Sequence, residues 1–194
     1  MLDPHRMAEI RLFNRWPVDG IEVLDEGLKN YISLRPQIIP HSSGRHEHRR
    51  FAKSRVNIVE RLANMLMRPG RNGGKKSKAL TIVRNALTIV ELRTGKNPLE
   101  VLVRAIENSA PMEDVTRLSY GGIVYFKAVD ISPQRRVDLA LRYIAQAARE
   151  ASFRSRKTVD ECLAEEIVLA AEKDGKSFAV KKKMELERVA LASR

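Results

Sequence analysis

The sequence predicts a mainly α-helical single domain of about six helices, with a β-hairpin protruding between the third and fourth core helices. Three observations lead there. Apolar residues recur at helical spacing in one stretch after another, and local capping and breaking residues separate those stretches. Only Asp114 to Ile131 is dense in β-branched and aromatic residues, with Gly121-Gly122 as its break. A chain of 194 residues suits one domain, and a domain of this size buries roughly 70% of its unfolded surface.

Residues 1–44 are expected to be a docked segment with one short helix, and residues 45–194 the helical core, including the hairpin arm 114–131. In the first segment Asp3, Glu9, Asp19, Glu22, Asp25 and Glu26 outnumber Arg6, Arg11, Arg15 and Lys29. It is therefore not a basic tail. Leu12, Phe13, Trp16 and Val18 supply apolar anchors around Pro17 and Gly20, and Asp25 can cap a helix reaching Tyr31 and Ile32. Pro36, Pro40, Ser42, Ser43 and Gly44 form a loop. Past it the chemistry changes: Arg45, Arg49, Arg50, Lys53 and Arg55 face the single acid Glu47.

Ile58, Val59, Leu62, Ala63 and Leu66 predict a helix from about Arg55 to Met67, ended before Pro69-Gly70. A glycine-rich loop follows, carrying Arg71, Lys75, Lys76 and Lys78 without an acid, and opens onto the stripe of Ala79, Leu80, Val83, Ala86, Leu87 and Val90. Thr94-Gly95 ends that helix. Asn97-Pro98 caps and starts the next, whose inward face is Leu99, Leu102, Val103 and Ile106. In the hairpin, a two-residue loop at Gly121-Gly122 sets Tyr120 opposite Ile123, Leu118 opposite Tyr125 and Thr116 opposite Lys127. Neither face is cleanly polar, so the ribbon either lies on the helices or projects to a partner, and Leu118 and Val129 favour seating for some of its aromatic rings.

Ser132-Pro133 starts a helix with Arg135 and Arg136 in its first turn, continued by Val137, Leu141, Ile144 and Ala148 to about Ser152. Arg154, Arg156 and Lys157 occupy the following loop. Thr158 and Glu161 have capping-box spacing, and Leu163, Ile167 and Ala170 extend that helix towards Asp174-Gly175. Ser177 caps a last helix bearing Lys181, Lys182 and Lys183, three successive positions that cannot all face one neighbour. Glu165-Glu166 and Glu185 with Glu187 read as surface acids.

A formal charge of +12 points to a polyanionic partner. No apolar run approaches the ~18 to 20 residues of a bilayer span, and no secretory h-region is present. Cys162 is the lone cysteine, which rules out an intrachain disulfide and favours the cytoplasm. Gly70 to Ser77 departs from the phosphate-loop spacing of nucleotide triphosphatases, since Lys76 follows Gly74-Lys75 and a helix precedes the loop. Its amides and lysines still suit backbone phosphates. His46-Glu47-His48 has no second ligand cluster, and no nucleophile constellation exists. No enzyme, cofactor, metal or small-molecule substrate is expected.

Leu12-Phe13-Asn14-Arg15-Trp16, Pro40-His41-Ser42-Ser43-Gly44-Arg45, Ile58-Val59-Glu60-Arg61-Leu62, Gly73-Gly74-Lys75-Lys76 and Thr94-Gly95-Lys96-Asn97-Pro98-Leu99 carry a resemblance. It continues through Val129-Asp130-Ile131-Ser132-Pro133-Gln134-Arg135-Arg136, Ala148-Arg149-Glu150-Ala151-Ser152-Phe153-Arg154 and the run from Lys181 to Ala190. Over nearly its whole length the chain resembles the universal small-subunit ribosomal protein seven family, in its archaeal and eukaryotic branch.

The resemblance implies a helical core that binds the 3′ major domain of small-subunit rRNA and helps to start head assembly in the cytoplasmic small subunit. The predicted rRNA contacts are Arg45, Arg49, Arg50, Lys53 and Arg55 in the first basic run, and Arg71, Lys75, Lys76 and Lys78 in the glycine-rich loop. Arg135, Arg136, Arg154, Arg156, Lys157, Lys181, Lys182 and Lys183 complete them. It also implies that Ser119, Tyr120, Gly121, Gly122, Ile123, Val124 and Tyr125 lie near exit-site tRNA and the mRNA exit path, beside neighbouring small-subunit proteins. Tyr120 and Ile123 stand where many relatives carry more basic residues. The alternative is a helical DNA-binding chromatin or regulatory protein, since charge alone cannot separate duplex DNA from folded RNA. A peripheral membrane role is disfavoured, because no helix sets a basic face against a large apolar one.

Overall fold

The structure, a computed structural model, describes residues 10–45, 48–70 and 72–194. Helix α1 (Glu26–Lys29) is one turn, capped by the Asp25 carboxylate accepting from the Gly27 amide at 2.9 Å. A 3₁₀ turn over Ala52–Arg55 then leads to α2 (Ile58–Leu66), α3 (Lys76–Thr94) and α4 (Pro98–Ser109). The hairpin of β1 (Glu113–Tyr120) and β2 (Ile123–Asp130) comes next, before α5 (Pro133–Ser152), α6 (Val159–Ala171) and α7 (Phe178–Ala192). Long helices around one core, with a ribbon between α4 and α5, reproduce the predicted fold class.

The boundaries follow local chemistry. Gly95, at φ +65°, ends α3 in the left-handed conformation that disfavours a Cβ. Asn97 and Pro98 start α4, the Asn97 side chain accepting from the Leu99 amide at 3.1 Å. The Thr158–Glu161 capping box opens α6 as predicted. Helix α2 starts later than its apolar period suggests, because the 3₁₀ turn intervenes and Asn57 takes the cap by accepting from Val59.

Helix α6 packs against α3, α4 and α5, which explains why Leu163, Ala164, Ile167 and Ala170 are fully buried. Leu62, Leu87, Leu141 and Ile144 are buried to the same degree in one cluster. Leu12, Trp16 and Leu28 join that cluster. The indole Nε1 of Trp16 donates to Glu91 at 3.0 Å and the Phe13 amide to the Ile38 carbonyl at 2.7 Å, which fastens the segment before α1 onto α3 and the 33–45 loop.

The strands pair antiparallel in the expected register, Tyr120 with Ile123, Leu118 with Tyr125 and Thr116 with Lys127. Both loop glycines have positive φ, +58° and +83°, the requirement of a type I′ turn. The expectation that some aromatic rings seat on the helices is corrected. Leu118, Tyr120, Tyr125 and Phe126 are all about half exposed or more, with Tyr120 at 83%. Only the hairpin base is held: α7 packs on β1, Glu113 pairs with Arg194, and the Met112 amide donates to Glu187 at 3.1 Å.

The reading of Glu166 as a surface acid is also corrected. It is buried, accepting from the Ser177 hydroxyl at 2.7 Å and the Ala179 amide at 2.9 Å, so it shares with Ser177 the capping of α7. Helix α6 alone shows only its own period, and the partners that bury Glu166 lie past the next turn of the chain.

Candidate nucleic-acid interface

The loop from Met67 to Lys75 turns between α2 and α3 with Gly70 at φ +105° and Gly74 at +70°. Among the described residues no side chain caps α3 and no acid occupies its first turn, where Lys75 and Lys78 are exposed. Lys76 points the other way. Its ammonium bonds the carboxylate of Glu60, which is 1% exposed and also accepts from the amide and hydroxyl of Ser42, both at 2.8 Å. Burial pushes the Glu60 carboxyl up, but the Lys76 and Ser42 hydrogen bonds outweigh it and hold the group below its ordinary range. One buried acid thus ties the loop before the first basic run to the start of the glycine-rich loop's helix.

Beside that loop lies an open cleft of about 770 Å³, lined by Arg68, Lys78, Arg149 and Arg154 with no acid among its described walls, while Glu150 lines the adjoining pocket. Leu66, Pro69, Ala145, Phe153 and Val159 supply its apolar surface. Lys78 and Arg154 were expected contacts, and the fold brings them together although they are far apart in sequence. Arg68 and Arg149 were missed. Arg68 opens an acid-free loop and Arg149 sits in the last turn of α5, so charge context was the signal that could have found the first and helix position the second.

The other predicted cations divide into two groups. Arg45, Arg49, Arg50, Arg55, Arg156 and Lys181 are exposed. Several others are occupied within the fold: Lys53 bonds Asp138 at 3.0 Å, where Arg61 also binds at 3.0 Å, and Arg136 bonds Asp25 at 2.8 Å and the Pro111 carbonyl at 3.2 Å. Arg135 pairs with Asp114 at 3.3 Å, Lys157 with Glu165 at 2.8 Å and Lys182 with Glu185 at 2.6 Å, all at positions open to solvent. Lys183 donates to the Asn108 carbonyl at 3.2 Å, and burial lowers its ammonium's affinity for the proton. Arg71, His46 and Glu47 lie outside the described residues. Burial raises the Cys162 thiol, in keeping with a packed, unreactive side chain.

The ribbon presents a different surface, mainly aromatic and aliphatic, with Arg117 and Lys127 as exposed cations along it. Tyr120, Ile123, Val124 and Tyr125 surround its tip, and the Arg117 guanidinium lies 5.6 Å from the Phe126 ring centroid.

Two kinds of similarity bear on this arrangement. The family model described as ribosomal protein S7p/S5e matches residues 28–194. The small ribosomal subunit protein uS7 of Methanothermobacter thermautotrophicus is 54% identical over 179 residues, 92% of this chain and 96% of its own. The uS7 protein of Methanosphaera stadtmanae is 53% identical over 93% of this chain and 96% of its own length. That of Methanococcus maripaludis is 52% identical over 96% of this chain and its own full length.

Proposed function

The chain belongs to the ribosomal protein S7p/S5e family, and from that membership we propose that it is a non-enzymatic structural constituent of the cytoplasmic small ribosomal subunit that binds the 3′ major domain of its rRNA. It helps to initiate assembly of the subunit head, and its hairpin lies near exit-site tRNA and the mRNA exit path, beside neighbouring small-subunit proteins. In this reading residues 45–194 form the rRNA-binding core, residues 1–44 a docked segment, and 114–131 the arm.

The observation that carries the rRNA assignment is the cleft lined by Arg68, Lys78, Arg149 and Arg154 beside the loop of Lys75. Four cations converge there, with Glu150 of the adjoining pocket the one carboxylate beside Arg68 and Arg149 among the described residues, so they gain from phosphates, whose counterions are released on binding. Lys53 and Arg136, by contrast, mainly stiffen the scaffold that aims the exposed cations. A competition between a 3′ major-domain rRNA fragment and random duplex DNA of equal length, at fixed salt, tests the assignment. Preference for the rRNA fragment is expected, and equal affinity would overturn it.

A further inference from the structure

The cleft contains one group that phosphate binding does not use. Phe153 is 73% exposed at the mouth, and the Arg154 guanidinium lies 5.3 Å from its ring centroid. Its placement is fixed by the backbone. The Phe153 amide donates to the Glu150 carbonyl at 3.3 Å as the C-cap of α5, and Arg154 turns the chain at φ +56°. A helix end thus carries a largely exposed aromatic ring outward, with a guanidinium over it.

Resting on the reading of this cleft as an rRNA surface, we propose that Phe153, backed by Arg154, is a stacking site for one unstacked RNA base. The apolar wall of Leu66, Pro69 and Val159 provides room for a planar ring, and Arg68, Lys78 and Arg149 stand where the flanking phosphates need neutralising. A base paired within a duplex hides both π-faces, so the occupant is a bulged or loop nucleotide. Four cations among the described walls, against the single Glu150 of the adjoining pocket, favour a polyanion over a basic protein segment. Stacking on a ring tolerates any base, which makes Phe153 a determinant of single-stranded character rather than of sequence.

The test uses the full chain and the 3′ major-domain rRNA fragment. Phe153→Ala is expected to weaken binding by about 5- to 150-fold, the equivalent of the ~1–3 kcal/mol that stacking one base contributes. The slope of log affinity against log salt should not change, because no charge is removed. Phe153→Trp should bind like the parent, and Phe153→Leu should lose nearly as much as the alanine variant. With 2-aminopurine placed in turn at each unpaired position, one position should be quenched by the parent chain and released by Phe153→Ala. Phe153 is largely exposed, and thermal unfolding of each variant checks that the fold is intact. If Phe153→Ala binds as tightly as the parent, or Phe153→Leu binds like it, the stacking site is overturned and the ring serves a protein contact or apolar packing. If the parent itself shows no preference for rRNA over duplex DNA, it is the underlying rRNA assignment that fails.

Discussion

Glu60 and Lys76 form an ion pair in which the acid is 1% and the base 18% exposed, and the pair joins the middle of the molecule to its most basic loop. Removing one partner of such a pair leaves an uncompensated charge. Lys76→Met is therefore expected to cost ~3 to 5 kcal/mol, towards the lower end because Ser42 still donates to Glu60. Urea denaturation measures it, and a loss below ~1 kcal/mol would mean that the pair is dispensable. The pH dependence has a definite sign. Glu60's folded pKa lies below its ordinary value of 4.5, so its stabilisation is complete above that value and is lost as pH falls through the folded pKa. The stability gap between the parent and Glu60→Gln should accordingly be widest at neutral pH and close in acid.

The same pair separates two roles among neighbouring lysines. Lys75 and Lys78 are exposed, whereas Lys76 is committed to Glu60. Lys75→Ala with Lys78→Ala should flatten the log-log salt dependence of rRNA binding by ~1.4 to 1.8, at ~0.7 to 0.9 per phosphate contact, without lowering thermal stability. Adding Lys76→Ala should lower stability and change the slope little further. A slope unaltered by the double variant would remove this loop from the interface.

Glu166 invites a parallel test at the other end of the core. It accepts from the Ser177 hydroxyl and the Ala179 amide, donors at the start of α7 that burial denies to water. Glu166→Ala should cost ~1 to 3 kcal/mol by orphaning these donors, with amide exchange fastest at the first turn of α7. Exchange that accelerates uniformly along the chain would argue against a capping role.

What could be read from the sequence was what depends on near neighbours. The Asn97-Pro98 start, the Gly95 stop, the Thr158 capping box and the Gly121-Gly122 register all involve residues within about a helical turn or a two-residue loop of one another. Pairings across the fold could not be read. Lys53 meets Asp138 across 85 positions and Arg136 meets Asp25 across 111, so no local pattern distinguishes them from the cations that remain exposed. Glu166 illustrates the same limit, because helical period identifies the face of a residue but not which loop will cover that face. Arg149 and Arg154 flank the cleft only because α5 ends beside the 68–78 loop, a relation fixed by tertiary packing.

The hairpin allows a test that separates folding from function. Its base is anchored by α7, by the Glu113–Arg194 pair and by the Ile131 amide donating to the Met112 carbonyl at 2.9 Å, while residues 116–127 are exposed throughout. Leu118 and Tyr125 are already partners in the ladder, a hydrogen-bonded pair of the same kind as Tyr120 and Ile123. Deleting Ser119 to Val124 and inserting Asn-Gly therefore joins two residues that can close a two-residue loop, keeps every remaining side chain on its own face, and meets the positive-φ requirement of the turn. Thermal unfolding should stay within the ~0.5 kcal/mol typical of surface changes. Affinity for the rRNA fragment should fall only modestly, since the cleft is untouched. Exit-site tRNA retention by subunits carrying the shortened arm should fall further than either, because the removed residues include the exposed Tyr120 and Ile123. If the deletion unfolds the chain or abolishes rRNA binding, the ribbon is part of the core and not an arm.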